Sequence, residues 1–167
     1  MIVCGIDPGL NGGMAFLGGE KPLCMRVPVE TYKIAGKRKK FIDLVSIVET
    51  LSDHKPDAVF IEKQQAMPGQ GVSSTFQTGF GYGLYLGVLI TLGIRYHQVA
   101  PRKWKSDLKV TRDKDQARAR ASELMPDLSG NWQLKCEDGV AEAAMIAYWG
   151  LNCGQSPYGS NTGLEAK

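Results

Sequence analysis

A chain of 167 residues, 43% of them hydrophobic and 22% charged, holds enough apolar material for one domain with its own core. That composition excludes a chain disordered along most of its length. Lysine and arginine outnumber aspartate and glutamate by only 20 to 17, so a basic character matters through clustering rather than through the total.

In chain order, residues 2–7 read as a first strand, about 13–18 as a second after a glycine turn, and about 23–29 as a third beyond Gly18 and Gly19. Short turns make these three antiparallel neighbours. Lys33 to Lys40 reads as a polar, strongly basic loop. After it Phe41, Leu44, Val45, Ile47, Val48 and Leu51 have the spacing of an amphipathic helix reaching about Asp53. That helix provides the crossover a fourth, parallel strand at 58–62 requires. Met67 to Thr75 reads as a flexible polar loop leading into a long helix over about 75–92. A fifth strand, Tyr96 to Val99, stops before Pro101; short helices follow over Arg102–Leu108 and Lys114–Leu124, then a loop to about Gln133. The last helix spans about Glu137 to Trp149, and 154–167 reads as a flexible C-terminal tail to a single domain of residues 1–153.

The elements share one peculiarity: apolar strands end in carboxylates. Val3 to Ile6 delivers Asp7 to the turn Pro8-Gly9, and Ala58-Val-Phe-Ile61 delivers Glu62. A charge at the end of a buried strand is costly unless it is paired or binds a metal. Asp138 and Glu142 stand at i and i+4 and share a helix face. Taken singly, Asp7 is also a turn former and Asp138 also an N-cap. Together the four oxygen ligands suit a pair of hard divalent ions, Mg²⁺ or Mn²⁺, in a two-metal nuclease site. Nothing points to a side-chain nucleophile: there is no Gly-x-Ser-x-Gly elbow, and His54 and His97 lack any motif context. Cys4, Cys24, Cys136 and Cys153 form neither a CxxC pair nor a zinc spacing, so reduced thiols are expected. The longest apolar stretch, Leu84 to Ile94, is broken by glycine and too short to span a bilayer, and because Met1 reads as opening directly on a strand no signal sequence is expected.

Three antiparallel strands, then helix, strand, helix, strand and a terminal helix, is the ribonuclease-H-like order: an α/β fold with a mixed five-stranded sheet and helices on both faces. With Gly5-Ile-Asp7-Pro-Gly9, Ile61-Glu62, the glycine-rich stretch Gly69 to Gly87 and the acidic helix from Asp138 to Ala147, the chain resembles the RuvC family of Holliday-junction resolvases, particularly its bacteriophage-like members. The resemblance covers the chain to about residue 151. It implies a crossover junction endodeoxyribonuclease whose Asp7, Glu62, Asp138 and Glu142 hold two metal ions and drive phosphodiester hydrolysis in four-way or branched DNA. It also implies a homodimer in the cytoplasm of a bacterium or a phage-infected host, with no membrane partner. Bacterial members commonly space the helix acids at i and i+3, and Glu137 stands beside Asp138, so Asp138 is preferred as the first acid with Glu137 the alternative. The alternatives are a noncatalytic branched-DNA-binding protein of the same fold and an actin-like phosphotransferase; the chain lacks the paired nucleotide-binding lobes of the latter.

DNA contact is expected from Lys37, Arg38, Lys39 and Lys40, from Arg102, Lys103 and Lys105, and from Arg112, Lys114, Arg118 and Arg120, because basic clusters neutralise phosphates without reading sequence. Gln70, Ser73 and Ser74, just before a helix N-terminus, offer a phosphate seat or are simply a loop. Lys63 and Lys135 flank the acids, reading first as solvated surface and otherwise as cations that stabilise phosphate charge. Met67 and Phe76 are candidates for a wedge at the strand-exchange point, Phe76 reading first as core. Gly79, Gly83 and Gly87 recur every four residues, the mark of another backbone close by, either the chain's own sheet or a second copy.

Overall fold

The computed structural model describes residues 1–153, and the expected tail lies outside the described residues. β1 (Val3–Asp7) turns through Gly12, whose amide donates to the Gly9 carbonyl at 2.8 Å, into β2 (Gly13–Leu17), and β2 pairs antiparallel with β3 (Leu23–Arg26). β3 stops short of the expected residue 29, at Val27 and Pro28, where proline has no amide to donate. The expected basic loop is a hairpin of β4 (Val29–Ile34) and β5 (Lys37–Ile42), closed by Ala35 and Gly36 at φ of 49° and 77°. Two consecutive left-handed residues make the two-residue turn whose twist suits a hairpin.

α1 (Leu44–His54) therefore begins three residues later than expected, where the Asp43 carboxylate accepts from the Ser46 amide at 3.0 Å, and it ends as Lys55 turns left-handed before Pro56. β6 (Ala58–Glu62) runs parallel to β1, α2 (Val72–Thr91) starts three residues before the expected helix, and β7 (Tyr96–Val99) runs parallel to β6. α3 (Pro101–Asp107) and α4 (Lys114–Leu124) follow; 3-10 turns fill Pro126–Trp132 and Lys135–Glu137, and α5 (Asp138–Asn152) closes the described chain. The sheet order is β3-β2-β1-β6-β7, the mixed five-stranded sheet the element order implied. Among the described residues no helix is long and apolar enough to cross a membrane.

Strand alternation sorts the core onto two faces. Cys4, Ile6, Met14, Phe16, Val59 and Ile61 point at Ile47 and Leu51 of α1 and at Tyr85 and Leu89 of α2. Val3, Ala15, Leu17 and Phe60 point at α5, with Trp104 of α3 and Ala117 and Ala121 of α4 behind it. α5 lies almost directly on the backbone of β1. A Cβ on Gly5 would come within 2.2 Å of the Ala143 carbonyl oxygen and 2.4 Å of the Ala147 nitrogen, and one on Gly139 within 2.3 Å of the Asn11 oxygen. Gly12 and Gly139 form an isolated parallel bridge. The glycines of α2 behave in the opposite way: a Cβ on Gly79, Gly83 or Gly87 meets nothing within 4 Å, so the chain's own sheet is not the backbone they accommodate.

Gly5→Ala should accordingly cost about 3 kcal/mol, the upper end of what overpacking costs, because neither α5 nor β1 can retreat without its partner. Gly83→Ala, a helix-interior glycine in open space, should stabilise the isolated chain by about 0.5–1 kcal/mol. Urea denaturation at low protein concentration measures both, and a neutral Gly5→Ala would remove the close approach from the account.

Candidate active site

Parallel pairing of β1 with β6 sets Ile6 against Ile61, so Asp7 and Glu62 leave the sheet side by side at its carboxyl end. The Gly12–Gly139 bridge brings the first turn of α5 to the same end, with Glu142 one turn further along. Glu62 and Glu142 are the two buried charged side chains of the described core, 8% and 6% exposed. Burial, and then the charges of Glu142 and Glu62, push the Asp7 carboxyl up to about 7. Burial also raises Glu62, opposed by a hydrogen bond from Trp104 and reinforced by the charge of Glu142. Asp7, Glu62 and Glu142 thus feel one another as a cluster of like charges.

Cations hold that cluster in place. Lys114 Nζ and Lys105 Nζ both reach Glu142 Oε1, at 2.7 and 3.2 Å, and Arg118 donates to Asp138 Oδ1 and to Asp115. Burial, the largest single influence, works against the Lys114 ammonium, yet its hydrogen bond to Glu142 and the charges of Glu142, Asp138 and Asp7 together outweigh it and its pKa is raised. The hydrogen bond to Asp138 likewise raises Arg118. Turned towards these partners, no three acidic, histidine or cysteine side chains among the described residues converge as a ready-made ion cage. The donor set is nonetheless one of oxygens alone, the kind that suits hard divalent ions. Glu137 is differently engaged: its Oε2 accepts from the Leu134 amide at 2.8 Å, while Asp138 lines a cleft with Asp7.

That cleft, of about 660 Å³, is bounded by Asp7, Asn11, Gly12, Asp138 and Gly139 and rimmed by Arg26, Lys40, Lys114 and Lys135. Lys135, expected as solvated surface, and Arg26, which the sequence did not single out, therefore face the acids. Arg26 also meets Cys136 Sγ at 2.6 Å. A second depression joins Arg112, Lys114, Arg118 and Lys135 to Asp138. Lys103 is tied to Asp107 at 2.8 Å, and Arg102 and Lys63 are exposed away from these contacts. Arg120 reaches the Leu108 carbonyl and Glu123. Of the phosphate-seat residues, Gln70 spends its amide on Ser74 and Thr78 at 3.1 and 3.3 Å, and Ser73 lies exposed in the first turn of α2. Phe76 is not core: it is 66% exposed and stacks on Phe80 with ring centroids 6.1 Å apart.

The residue that sequence reasoning missed is Trp104, fully buried on α3, whose Nε1 donates to Glu62 Oε2 at 2.9 Å. Its signal was there to find: an aromatic set between Lys103 and Lys105 in a segment otherwise too polar to own a core residue.

An antiparallel β1-β2-β3 meander extended by two parallel strands, with acids at the ends of β1 and β6 and an acidic helix laid over them, defines the ribonuclease-H-like class. Within it the chain has the fold of RuvC. It is similar to T. thermophilus RuvC in complex with Holliday junction substrate, with a TM-score of 0.60 and 18% identity over 90% of this chain and 95% of that one. It is similar also to the yeast mitochondrial Holliday junction resolvase Ydc2, with a TM-score of 0.53 and 13% identity over 87% and 75% of the two chains. In sequence it is 30% identical over 94 residues to the chloroplastic Holliday junction resolvase MOC1 of Chlamydomonas reinhardtii, a match that spans 55% of this chain and 11% of that protein. No family model matches the sequence.

Removing the indole donor should leave a buried carboxylate oxygen unpaired. Trp104→Phe is expected to lose about 1–3 kcal/mol in urea denaturation. Combined with Glu62→Gln in a double-mutant cycle, it should show coupling of about 1 kcal/mol. Strict additivity would mean that the hydrogen bond contributes nothing.

Proposed function

We propose that this protein is a divalent-metal-dependent, structure-selective endonuclease that resolves Holliday junctions by paired hydrolysis of phosphodiester bonds. The observation that carries the reading is that two strands and one helix bring Asp7, Glu62, Asp138 and Glu142 to the same end of the sheet, where cations rim the cleft lined by Asp7 and Asp138. The names of the similar proteins support it, since the two structures and the curated relative are all resolvases.

Asp7, Glu62, Asp138 and Glu142 are the residues that would hold the ions, two Mg²⁺ or Mn²⁺ per site. Bound there, such a pair supplies Lewis acidity at the scissile phosphate and countercharge for the leaving oxygen. The chain's own part is separable. Trp104 fixes the orientation of Glu62 through the hydrogen bond to its Oε2. Lys105 and Lys114 balance Glu142 and are within reach of a phosphate that enters beside it. Arg118 does the same for Asp138.

Resolution needs two cuts, and a homodimer supplies two sites related by symmetry. The face that supports a dimer is the outer side of α2: the open positions Gly79, Gly83 and Gly87 run beside Phe76, Phe80 and Ile90, which are 66%, 54% and 60% exposed. Small residues in a row let a second helix approach, and the apolar ones give it something to bury.

Purified protein incubated with a four-way junction and a matched duplex should cut the junction in Mg²⁺ or Mn²⁺ and not in EDTA. Asp7→Asn and Glu62→Gln should each abolish cleavage, by about a thousandfold or more, while junction binding in EDTA stays within about threefold of wild type; a three-decade loss corresponds to about 4 kcal/mol of transition-state stabilisation. Junction binding without metal-dependent cutting would leave only a noncatalytic DNA-binding protein. On α5, Asp138→Asn should be as damaging and Glu137→Gln should not; the reverse pattern would exchange their roles.

Mixed dimers of wild type and Asp7→Asn should nick one strand and stall before the second. Gly83→Ala should weaken association in sedimentation while stabilising the isolated chain. A monomer that resolves junctions fully at working concentration would end the dimeric reading.

A further inference from the structure

The β4–β5 hairpin has two faces of different chemistry, and its register says which is which. Its turn locks the pairs Val29–Ile42, Thr31–Lys40 and Lys33–Arg38 onto one face, and Glu30–Phe41, Tyr32–Lys39 and Ile34–Lys37 onto the other. The first face turns inwards at its base, because Val29 and Ile42 pack against the core under α1 and α2. The next pair out contains Lys40, which lines both the acid-walled cleft and the adjoining apolar groove formed with Leu10, Ile42, Gln77 and Phe80. Beyond it stand Lys33 and Arg38, both exposed. This face therefore presents three cations and one hydroxyl with no acid among them. The opposite face is quieter: Tyr32 packs edge-on against Phe41 with centroids 5.8 Å apart and donates to the Glu30 carboxylate, so Lys37 and Lys39 share their surface with an acid and two aromatic rings.

We infer that the hairpin grips the DNA backbone with one face only, through Lys33, Arg38 and Lys40 with the Thr31 hydroxyl beside them, and that Lys37 and Lys39 point away from it. Charge complementarity carries the assignment. The line Lys40, Lys33, Arg38 begins at the rim of the cleft, where Arg26, Lys114 and Lys135 occupy the other positions, and continues that positive rim outwards along an arm. Such a line tracks successive phosphates and reads no base. Lys33, which adjacency in sequence leaves outside the basic run, joins the contact set, and half of the run 37–40 leaves it. The inference rests on the nuclease reading to the extent that DNA is the ligand.

Adjacent charge-matched variants test it. Arg38→Gln with Lys40→Gln and Lys37→Gln with Lys39→Gln remove the same charge from the same strand on opposite faces. Binding to a four-way junction in EDTA, titrated against salt, keeps catalysis out of the readout, and a urea midpoint for each variant confirms folding. The Arg38/Lys40 pair should weaken binding about tenfold or more at fixed salt and reduce the salt slope by about two units, close to one per lost phosphate contact. The Lys37/Lys39 pair should stay within about twofold with an unchanged slope, and Lys33→Gln alone should take about one unit of slope. Single Arg38→Gln and Lys39→Gln variants repeat the contrast between neighbouring residues if either double variant misfolds. Equal losses from both faces, or a larger loss from Lys37 and Lys39, would overturn the face assignment alone. Wild-type protein that binds no DNA would overturn it together with the nuclease reading.

Discussion

The contact on which the rest depends is backbone against backbone: α5 laid on β1 and on the turn that follows it, with glycine on both sides of the seam. Gly5 admits the helix at Ala143 and Ala147, and Gly12 and Gly139 approach closely enough to form a bridge. From Gly139 to Ala147 every residue of α5 is buried, most of them alanine or glycine, so the helix is held by proximity rather than by large side chains. Placed this closely, α5 has little freedom to slide or rotate, because any shift drives Cα atoms into carbonyls. Asp138 and Glu142 inherit that fixity. Their position relative to Asp7 and Glu62 is set by main-chain packing and not by the carboxylates, whose mutual repulsion favours separation.

Electrostatics then has to be satisfied locally. Four acids at one end of a sheet, two of them buried, would be ruinous without countercharge. The chain provides it from α3 and α4, with Lys105 and Lys114 on Glu142 and Arg118 on Asp138, while Glu62 receives a hydrogen bond from the neutral indole of Trp104. Trp104 also has the Lys105 ammonium 5.0 Å from its ring centroid, so one aromatic ring steadies an acid through its N–H and a cation through its face. The helices that carry these groups share one core cluster with α5, which ties the countercharges to the same element as Asp138 and Glu142.

Much of this was legible in the sequence. Apolar runs ending in Asp7 and Glu62 located β1 and β6 within a residue, and the i, i+4 acids located the start of α5. These signals survive because burial on both faces demands uninterrupted hydrophobic strands. The hairpin was not legible for the converse reason. Lys37 to Lys40 gives no apolar alternation, and Ala35-Gly36 is a weaker turn signature than Asn-Gly. Phe76 is exposed although its residue type favours burial, as are Val72 and Phe80 in the same early turns of α2. The glycine repeat of α2 was visible as a pattern, but only the empty space around it distinguished the chain's own sheet from a partner. Trp104 was overlooked because its function depends on a residue 42 positions away in sequence.

The arm has one further consequence. β4 and β5 pair only with each other among the described residues, so each keeps an outer row of unsatisfied amides and carbonyls, and a lone two-stranded ribbon is only marginally stable in water. Edges of that kind recruit strands from other molecules and seed aggregates. Lysine and arginine crowded along β5 repel an incoming copy of the same edge. The cations proposed to meet a polyanion would thereby also oppose pairing of the arm with its own copies, and a neutral arm would risk sticking to itself.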